Sequence, residues 1–205
     1  MSFDDNVKQQ ALADLKLKFK SIKGGDELAV MDIPPPEWLI PDLLPVGLTI
    51  LGGPKKLGKS YLVMQFAKQL VEDGHPVFYF AGEDTYHLHK ERQKQVGLEA
   101  SNDYQFVAGR TEHFSSAKTF YENISAALRI YPFKAIFIDV MEHCLEPEKV
   151  RDYPYYMKEL GRWAKLAHHY EIAIVLVTHT GKNAGQTYSN PIDHLIGSTG
   201  IGSAA

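Results

Sequence analysis

The sequence predicts an α/β fold in which a mainly parallel β-sheet carries helices on both faces. From Gly47 onward, continuous apolar segments of strand length alternate with segments of helical periodicity, a pattern typical of parallel strands that are buried on both faces. A length of 205 residues suits one such domain with a short appendage. We therefore expect an N-terminal helix and linker over residues 1–33 and an α/β core over residues 34–205, which residues after Ala205 would complete.

Composition and charge argue against several classes of protein. The formal net charge of −3 gives no overall basic field of the kind that nucleic-acid binders carry, although it leaves room for a local basic channel. Cys144 is the only cysteine, so no disulfide can form within the chain and a reducing compartment is the simpler interpretation. No apolar segment approaches the roughly 20 residues that span a bilayer, and the first residues do not follow a signal-peptide pattern. We expect a cytoplasmic protein with no membrane partner.

The N-terminal part predicts one helix followed by an extended lead-in. Residues 6–20 form an amphipathic pattern whose apolar side chains recur at a spacing of four. These side chains are Val7, Ala11, Leu15 and Phe19. Such a stripe could pack on the body of the protein or on a neighbouring subunit. Residues 24–26 are expected to end this helix, and the prolines over residues 34–41 favour an extended segment because proline fixes φ.

The core is predicted to hold five strands and four further helices. The predicted strands cover residues 48–51, 77–81, 104–107, 135–139 and 172–178. Helices are predicted over residues 60–72, 86–95 and 117–128, and a fourth is predicted after Asp152 as its cap. The residues expected to face inward from that fourth helix are Met157, Leu160, Ala164 and Ala167. Because ligands bind parallel sheets at the carboxyl ends of the strands, functional side chains are expected there.

A phosphate-binding loop follows the first core strand. Its sequence, Gly-Pro-Lys-Lys-Leu-Gly-Lys-Ser, matches the spacing G-x-x-x-x-G-K-[ST] in full. The glycines let backbone N–H groups face a β-phosphate, and the next helix adds its positive N-terminal end. The Lys59 ammonium would reach the β- and γ-phosphates of ATP, and the Ser60 hydroxyl would ligate Mg²⁺. The predicted nucleotide-binding residues are Gly53, Pro54, Lys55, Lys56, Leu57, Gly58, Lys59, Ser60 and Tyr61. Lys55 and Lys56 either add positive potential to the loop or are solvated charges.

Carboxylates at other strand ends complete the predicted site. Asp139 closes an apolar strand and suits the carboxylate beside Mg²⁺, although an ordinary strand-ending aspartate is the alternative. Val140 follows it, so the glutamate that some P-loop enzymes place there is absent. Glu83 lies just past an earlier strand and is the candidate base that deprotonates the attacking water. Asp84 and Glu142 are lesser candidates for the base, and Glu83 or Asp84 could instead cap the next helix.

His179 follows the last predicted strand. A histidine at that position could hydrogen-bond the γ-phosphate and transmit the loss of that phosphate to the next loop. The alternative interpretation is that this histidine is structural. Other histidines stand in pairs or beside Cys144, but none has partners at the spacing of metal ligands. These are His87 with His89, His143 with Cys144, and His168 with His169.

Together these elements resemble the RecA-like P-loop ATPases of the RepA/DnaB group, also called the AAA_25 group. The resemblance runs from about Trp38 to Ala205 and rests on five short segments. They are Gly-Pro-Lys-Lys-Leu-Gly-Lys-Ser, Ala-Gly-Glu-Asp, Ile-Phe-Ile-Asp, Val-Thr-His-Thr-Gly-Lys and Gly-Ser-Thr-Gly. It implies that Glu83 is the catalytic base and His179 the γ-phosphate sensor. It also implies that the His179 strand lies between the phosphate-loop strand and the Asp139 strand.

The resemblance implies further properties at the level of assembly. Members form rings or filaments, typically hexameric in this group, with ATP between subunits and an arginine finger from the neighbour. No arginine follows Arg162, so the finger lies past Ala205, or Lys182 replaces it, or the chain does not activate itself. Single-stranded DNA would contact the loops at residues 141–151 and 180–195, of which neither is strongly basic.

Three functions compete at this level. The first is an ATP-driven DNA helicase or translocase in plasmid or phage replication. The second is a regulatory ATPase or ATP-binding module that uses the nucleotide to switch assembly, which the weak loop charge favours. The third, a small-molecule or phosphoryl-transfer kinase, would need an arginine-rich lid that the sequence does not offer.

Overall fold

A computed structural model describes residues 5–19, 21–109, 116–146 and 153–179. The chain divides into two compact units, Met1–Pro35 and Pro36–Ala205. Several predicted features lie outside the described residues: the cap Asp152, Lys182 and the segment over residues 180–195.

The first unit contains two helices, α1 (Asp5–Lys18) and α2 (Gly25–Val30). Helix α1 confirms the helix that the spacing of apolar residues predicts. Helix α2 was not predicted, because two adjacent glycines were expected only to end a helix. Gly24 instead caps α2, and the acids Asp26 and Glu27 in its first turn favour a helix start.

The second unit is built on five parallel strands in the spatial order β3-β7-β6-β4-β5. They are β3 (Gly47–Gly53), β4 (Val77–Ala81), β5 (Tyr104–Ala108), β6 (Ala135–Asp139) and β7 (Ala173–His179). Before them, β1 (Trp38–Ile40) and β2 (Leu44–Pro45) form a small antiparallel pair. The order confirms that β7 lies between β3 and β6, because β7 pairs with both.

Helices cover both faces of the main sheet, which confirms the predicted α/β fold. They are α3 (Lys59–Glu72), α4 (Tyr86–Val96), α5 (Ala117–Ile130) and α6 (Tyr153–Tyr170), with a short 3₁₀ turn at Met141–Cys144. One hydrophobic core joins α5 and α6 to the sheet, and the other joins α3 to the opposite face. In the described part of the chain, no helix is both long enough and apolar enough to cross a membrane.

The inward face of α6 differs from the predicted one. Met157 is 40% exposed, whereas Tyr156 and Trp163 are each 1% exposed. Leu160 and Ala167 are buried as expected. The buried stripe still follows the helical period, but it includes Tyr156 and Trp163 in place of Met157 and Ala164. These two large aromatic side chains fill more of the core than the predicted residues would.

The register of the strands brings the predicted functional residues to one edge. Gly53 is the partner of His179 across β3 and β7, and Asp139 is the partner of Ala81 across β6 and β4. Residues that follow Ala81, such as Glu83, therefore emerge at the same edge as the phosphate loop.

Candidate functional site

The phosphate loop connects β3 to α3 through left-handed backbone. Gly58, the residue before α3, has φ 92° and ψ 10°, and Lys56 has φ 64°. A glycine adopts such a conformation without the penalty that a Cβ atom brings. Gly58 has no side chain that could cap the start of α3, and the first N–H groups of a helix, which lack acceptors within the helix, are a favourable site for a phosphate.

The Lys59 side chain lies folded along this loop and is 7% exposed. Its Nζ donates to the carbonyl oxygens of Gly53, at 2.7 Å, and Pro54, at 2.8 Å. Burial lowers the pKa of Lys59, while the nearby carboxylates, Asp139 foremost, act in the opposite direction. The ammonium is thus held inside the loop, where phosphate oxygens could replace the carbonyls as its partners.

Ser60 and Asp139 meet behind the loop. The Tyr79 hydroxyl lies between them: it donates to Asp139 Oδ2 at 3.3 Å and is 3.5 Å from the Ser60 carbonyl oxygen. Asp139 is 7% exposed, and this burial raises the pKa of its carboxyl, although the neighbouring Ser60 and Tyr79 act to lower it. A hydroxyl beside a carboxylate is an oxygen donor set that suits Mg²⁺.

His179 lies between Lys59 and Glu83. Its Nδ1 is 3.2 Å from Lys59 Nζ. Since an ammonium has only donors, Nδ1 accepts and the ring proton lies on Nε2. That atom is buried, finds no hydrogen-bond partner among the described residues, and lies 3.6 Å from Glu83 Oε2. The Glu83 side chain is 57% exposed, so it reaches the cleft from its open side.

These side chains line one cleft of about 450 Å³. Its lining residues are Lys55, Lys56, Gly58, Lys59, Ser60, Tyr61, Glu83, Arg92 and His179. The structure therefore brings together the predicted loop, base and sensor, and the Tyr79 hydroxyl connects Asp139 with Ser60 behind them.

Arg92 on α4 is a lining residue that the sequence analysis missed. Its guanidinium pairs with Asp84, and its Cζ lies 5.8 Å from the centre of the Tyr61 ring. The sequence analysis expected an arginine only after the last strand, whereas Arg92 lies on α4, the helix that follows the strand leading to Glu83. The ion pair also occupies Asp84, which weakens its case as the base.

His89 is packed among buried polar and aromatic side chains. It is fully buried, its Nε2 and the Tyr104 hydroxyl are 2.8 Å apart, and its Nδ1 lies 3.7 Å from Asp84 Oδ2. Within the residues that the structure describes, no group of three or more His, Cys, Asp or Glu side chains could hold a metal ion.

The sequence of this chain matches a known protein family. Residues 16–185, most of the chain, match the model of the AAA_25 family, described as an AAA domain. The chain is also similar to a solved structure of an ATPase domain. That match has a TM-score of 0.58 and 14% identity, and it covers 96% of this chain and 80% of that one. At this identity the likeness shows the fold.

A curated relative shares a shorter segment. The DNA repair protein RadA of Chlamydia muridarum (strain MoPn / Nigg) is 36% identical over 59 residues. The match covers 29% of this chain but only 13% of RadA. The chain thus spans a small part of that relative's length. On the family match and the RecA-like fold, the chain belongs to the AAA_25 family of AAA domains and is a RecA-like P-loop ATPase of the RepA/DnaB group.

Proposed function

We propose that this chain binds Mg·ATP in the cleft and hydrolyses it to ADP and phosphate. One observation carries the proposal: Lys59, Ser60, Glu83 and His179 line a single cleft, and the Tyr79 hydroxyl, which lies 3.5 Å from the Ser60 carbonyl oxygen, donates to Asp139 at 3.3 Å. A loop for phosphates, oxygen donors for a metal and a carboxylate open to water are the parts that phosphoryl transfer to water requires.

The phosphates would be held by the loop and by Lys59. The N–H groups at the start of α3 would donate to phosphate oxygens, and Lys59 Nζ would exchange its two carbonyl partners for the β- and γ-phosphates. Ser60 and Asp139 would hold Mg²⁺, Asp139 through a metal-bound water. When bound, Mg²⁺ supplies positive charge that neutralises the phosphate oxygens. One direct protein ligand and one carboxylate that acts through water suffice, because Mg²⁺ usually keeps several waters and also binds the substrate phosphates.

Glu83 is our candidate for the general base. Its carboxylate stands at the open side of the cleft, where it could accept a proton from a water that attacks the γ-phosphorus. His179 is our candidate for the γ-phosphate sensor. Its Nε2–H, buried and without a hydrogen-bond partner in the described structure, is a donor that a phosphate oxygen would satisfy.

At the level of the cell, we propose a DNA helicase or translocase that acts in plasmid or phage replication. In this proposal the chain assembles into a homo-oligomeric ring, a hexamer as in the group it belongs to, and moves along single-stranded DNA. Membership of the RepA/DnaB group supports this proposal.

A regulatory ATPase is the second candidate, and one observation favours it. The described segment after β6, residues 140–146, contains Glu142 and Glu146 but no lysine or arginine. A segment that tracks a DNA backbone is expected to be basic. Such an ATPase would bind ATP tightly and turn it over slowly, without a response to DNA.

The decisive experiment measures ATP turnover with and without single-stranded DNA, and binding of a fluorescent ATP analogue, in four proteins. These are the wild type, Lys59→Ala, Glu83→Gln and the control Glu122→Gln, whose exposed carboxylate lies on α5. We expect Lys59→Ala to lose nucleotide binding, Glu83→Gln to keep binding without turnover, and the control to behave as wild type. Stimulation by DNA together with oligomers that depend on nucleotide supports the helicase, whereas turnover that ignores DNA supports the regulatory ATPase. A wild type without any turnover contradicts the proposed hydrolysis.

A further inference from the structure

The 3₁₀ turn at Met141–Cys144 stands between two of the proposed catalytic residues. It follows β6, which lies between β7 and β4 in the sheet. The turn therefore emerges between the strand that ends at His179 and the strand that leads to Glu83. Side chains of the turn contact both neighbours, and neither contact belongs to the nucleotide cleft described above.

The contact toward β4 is unusually close. The His143 ring lies against the backbone of Gly82, the residue before Glu83. A Cβ atom at Gly82 would stand 2.1 Å from His143 Nε2 and 2.7 Å from the ring of Phe80. Only glycine leaves room for this approach. The Gly82 N–H also donates to the Asp139 carbonyl oxygen at 2.7 Å, so the peptide before Glu83 is fixed by β6 on one side and covered by His143.

The His143 ring is itself held in place by aromatic packing. It meets Phe80 edge to face, with ring centres 5.1 Å apart, and Phe80 packs in the same manner on Phe120 at 4.7 Å. Phe80 and Phe120 are fully buried. The ring cannot follow Gly82 freely, so a displacement of the turn would press on the backbone that carries Glu83.

The contact toward β7 involves Glu142. Its Oε1 lies 3.5 Å from the hydroxyl of Thr178, which is fully buried and precedes His179. Its Oε2 is buried without a hydrogen-bond partner in the described part of the chain. One short turn thus reaches both the strand end that carries the proposed sensor and the peptide that carries the proposed base.

We propose that His143 is a positioning residue: its ring, packed on Gly82, sets the place of Glu83 in the cleft and transmits movement of the segment after β6 to it. This inference rests on the proposed hydrolysis and specifies how that site is regulated. A ligand or subunit that moves the turn would then change the rate of hydrolysis through Glu83 and leave the phosphate loop, and with it the affinity for ATP, as it is.

The test separates turnover from affinity. Steady-state ATP hydrolysis and equilibrium binding of a fluorescent ATP analogue with Mg²⁺ are measured for His143→Ala, His143→Phe and Gly82→Ala. The controls are His168→Ala, at an exposed histidine of α6, and Gly161→Ala, where an added Cβ atom meets nothing within 4 Å. Circular dichroism and thermal unfolding establish that each variant is folded.

We expect His143→Ala and Gly82→Ala to lower kcat by about 10- to 100-fold, because a misplacement of a catalytic group by about 1 Å has that effect. The dissociation constant of the ATP analogue should change by less than about twofold. His143→Phe keeps a flat ring on Gly82 and should restore most of kcat, and both controls should behave as wild type.

Other results would overturn the inference. Turnover equal to wild type in His143→Ala shows that the ring does not position Glu83. Loss of turnover that His143→Phe shares in full shows that packing is not the reason. Weaker binding of the analogue in parallel with slower turnover assigns the contact to the phosphate loop. Absence of turnover in the wild type is a different result, since it contradicts the proposed hydrolysis itself and not the role of His143 alone.

Discussion

Lys59 lines the cleft and Asp139 lies behind it, and each is 7% exposed. Burial disfavours the charged form of both, so it raises the pKa of the Asp139 carboxyl and lowers the pKa of the Lys59 ammonium. Each buried charge therefore lowers the stability of the nucleotide-free fold. A cation beside Asp139 or an anion beside Lys59 would offset this loss. Sites arranged for ligands commonly give up stability in this way.

Asp139→Asn tests that cost. The amide keeps the shape and can still accept the hydrogen bond from Tyr79, but it removes the buried charge. We expect the nucleotide-free variant to melt a few degrees above wild type near neutral pH while ATP hydrolysis is lost. Because the pKa of Asp139 is raised in the fold, the penalty on wild type is absent below the unfolded-state pKa and becomes complete as the pH rises through the folded-state pKa, so the difference in melting temperature should shrink steadily as the pH falls toward 4. The measurement is thermal unfolding from pH 4 to 8.

The control for this variant is Asp73→Asn, at an exposed position of the C-terminal cap of α3. It should neither raise the melting temperature nor affect hydrolysis. If Asp139→Asn melts below wild type near neutral pH, the ionised carboxylate stabilises the nucleotide-free fold and the argument from burial is wrong.

Arg92 supports a second prediction at the residue scale. Its guanidinium pairs with Asp84, which is 7% exposed and also faces His89. Arg92→Ala leaves this carboxylate without its cation, and we expect a loss of about 1–3 kcal/mol in the free energy of unfolding. The double variant Arg92→Ala with Asp84→Asn removes the unpaired charge and should recover part of that loss, as urea unfolding would measure. If the double variant is as unstable as Arg92→Ala, the ion pair is not the cause.

The sequence predicted the candidate site residues that lie in a motif or at a strand end. It missed residues that reach the candidate site only through contacts formed in the folded chain. The spacing from Gly53 to Ser60 identified the loop, and strand ends identified Asp139, which the Tyr79 hydroxyl connects with Ser60. Arg92 and His143 escaped prediction because their roles depend on contacts with Asp84 and Gly82. A contact between a helix or turn and a strand end has no fixed spacing in the sequence.

At the scale of elements, the continuous apolar strands were the most predictable features. The strands β4 and β6 begin and end where the sequence predicted, since a strand buried on both faces is apolar throughout. The β1–β2 pair was missed because strands of three and two residues are too short to show an alternation. Helix α6 was predicted as a helix, but part of its inward face was assigned wrongly. The 3.6-residue periodicity alone does not say which of two adjacent apolar residues, Trp163 or Ala164, points more directly into the core.

Two glycines at helix ends, Gly58 and Gly97, both adopt left-handed backbone, but only Gly58 lies in the phosphate loop. Substituting each in turn therefore distinguishes an effect on stability from an effect on nucleotide binding. Gly58 precedes α3 with φ 92°, and Gly97 follows α4 with φ 68°. An added Cβ atom has open space at Gly58 and meets only the Lys68 Nζ, at 4.0 Å, at Gly97. Alanine at either position should therefore cost about 1–2 kcal/mol through the left-handed backbone alone.

Only Gly58→Ala should weaken binding of the ATP analogue, because the loop before α3 would relax away from the conformation that presents its N–H groups. Urea unfolding and analogue binding measure the two effects, and Gly97→Ala is the matched control. Equal loss of binding in both variants would show that binding follows stability and that the left-handed turn at Gly58 has no special part in it.

At the scale of the whole molecule, every lining residue of the cleft belongs to the second unit, Pro36–Ala205. That unit also holds both hydrophobic cores. The first unit has short helices and many exposed apolar side chains. They are Val7, Leu12, Leu15, Leu17, Phe19, Leu28, Val30, Met31 and Ile33. We propose that the core binds nucleotide by itself and that the N-terminal helix and linker serve assembly.

A chain shortened to begin at Pro36 tests this division. Its core and cleft stay whole, so we expect the dissociation constant for ATP to remain within a factor of about two of the full chain. Association in the presence of an ATP analogue should weaken, because apolar side chains that association would bury are gone. Light scattering with and without the analogue measures the oligomer. Full-size oligomers from the shortened chain would assign assembly to the core, and loss of ATP binding would show that the cleft depends on the first unit.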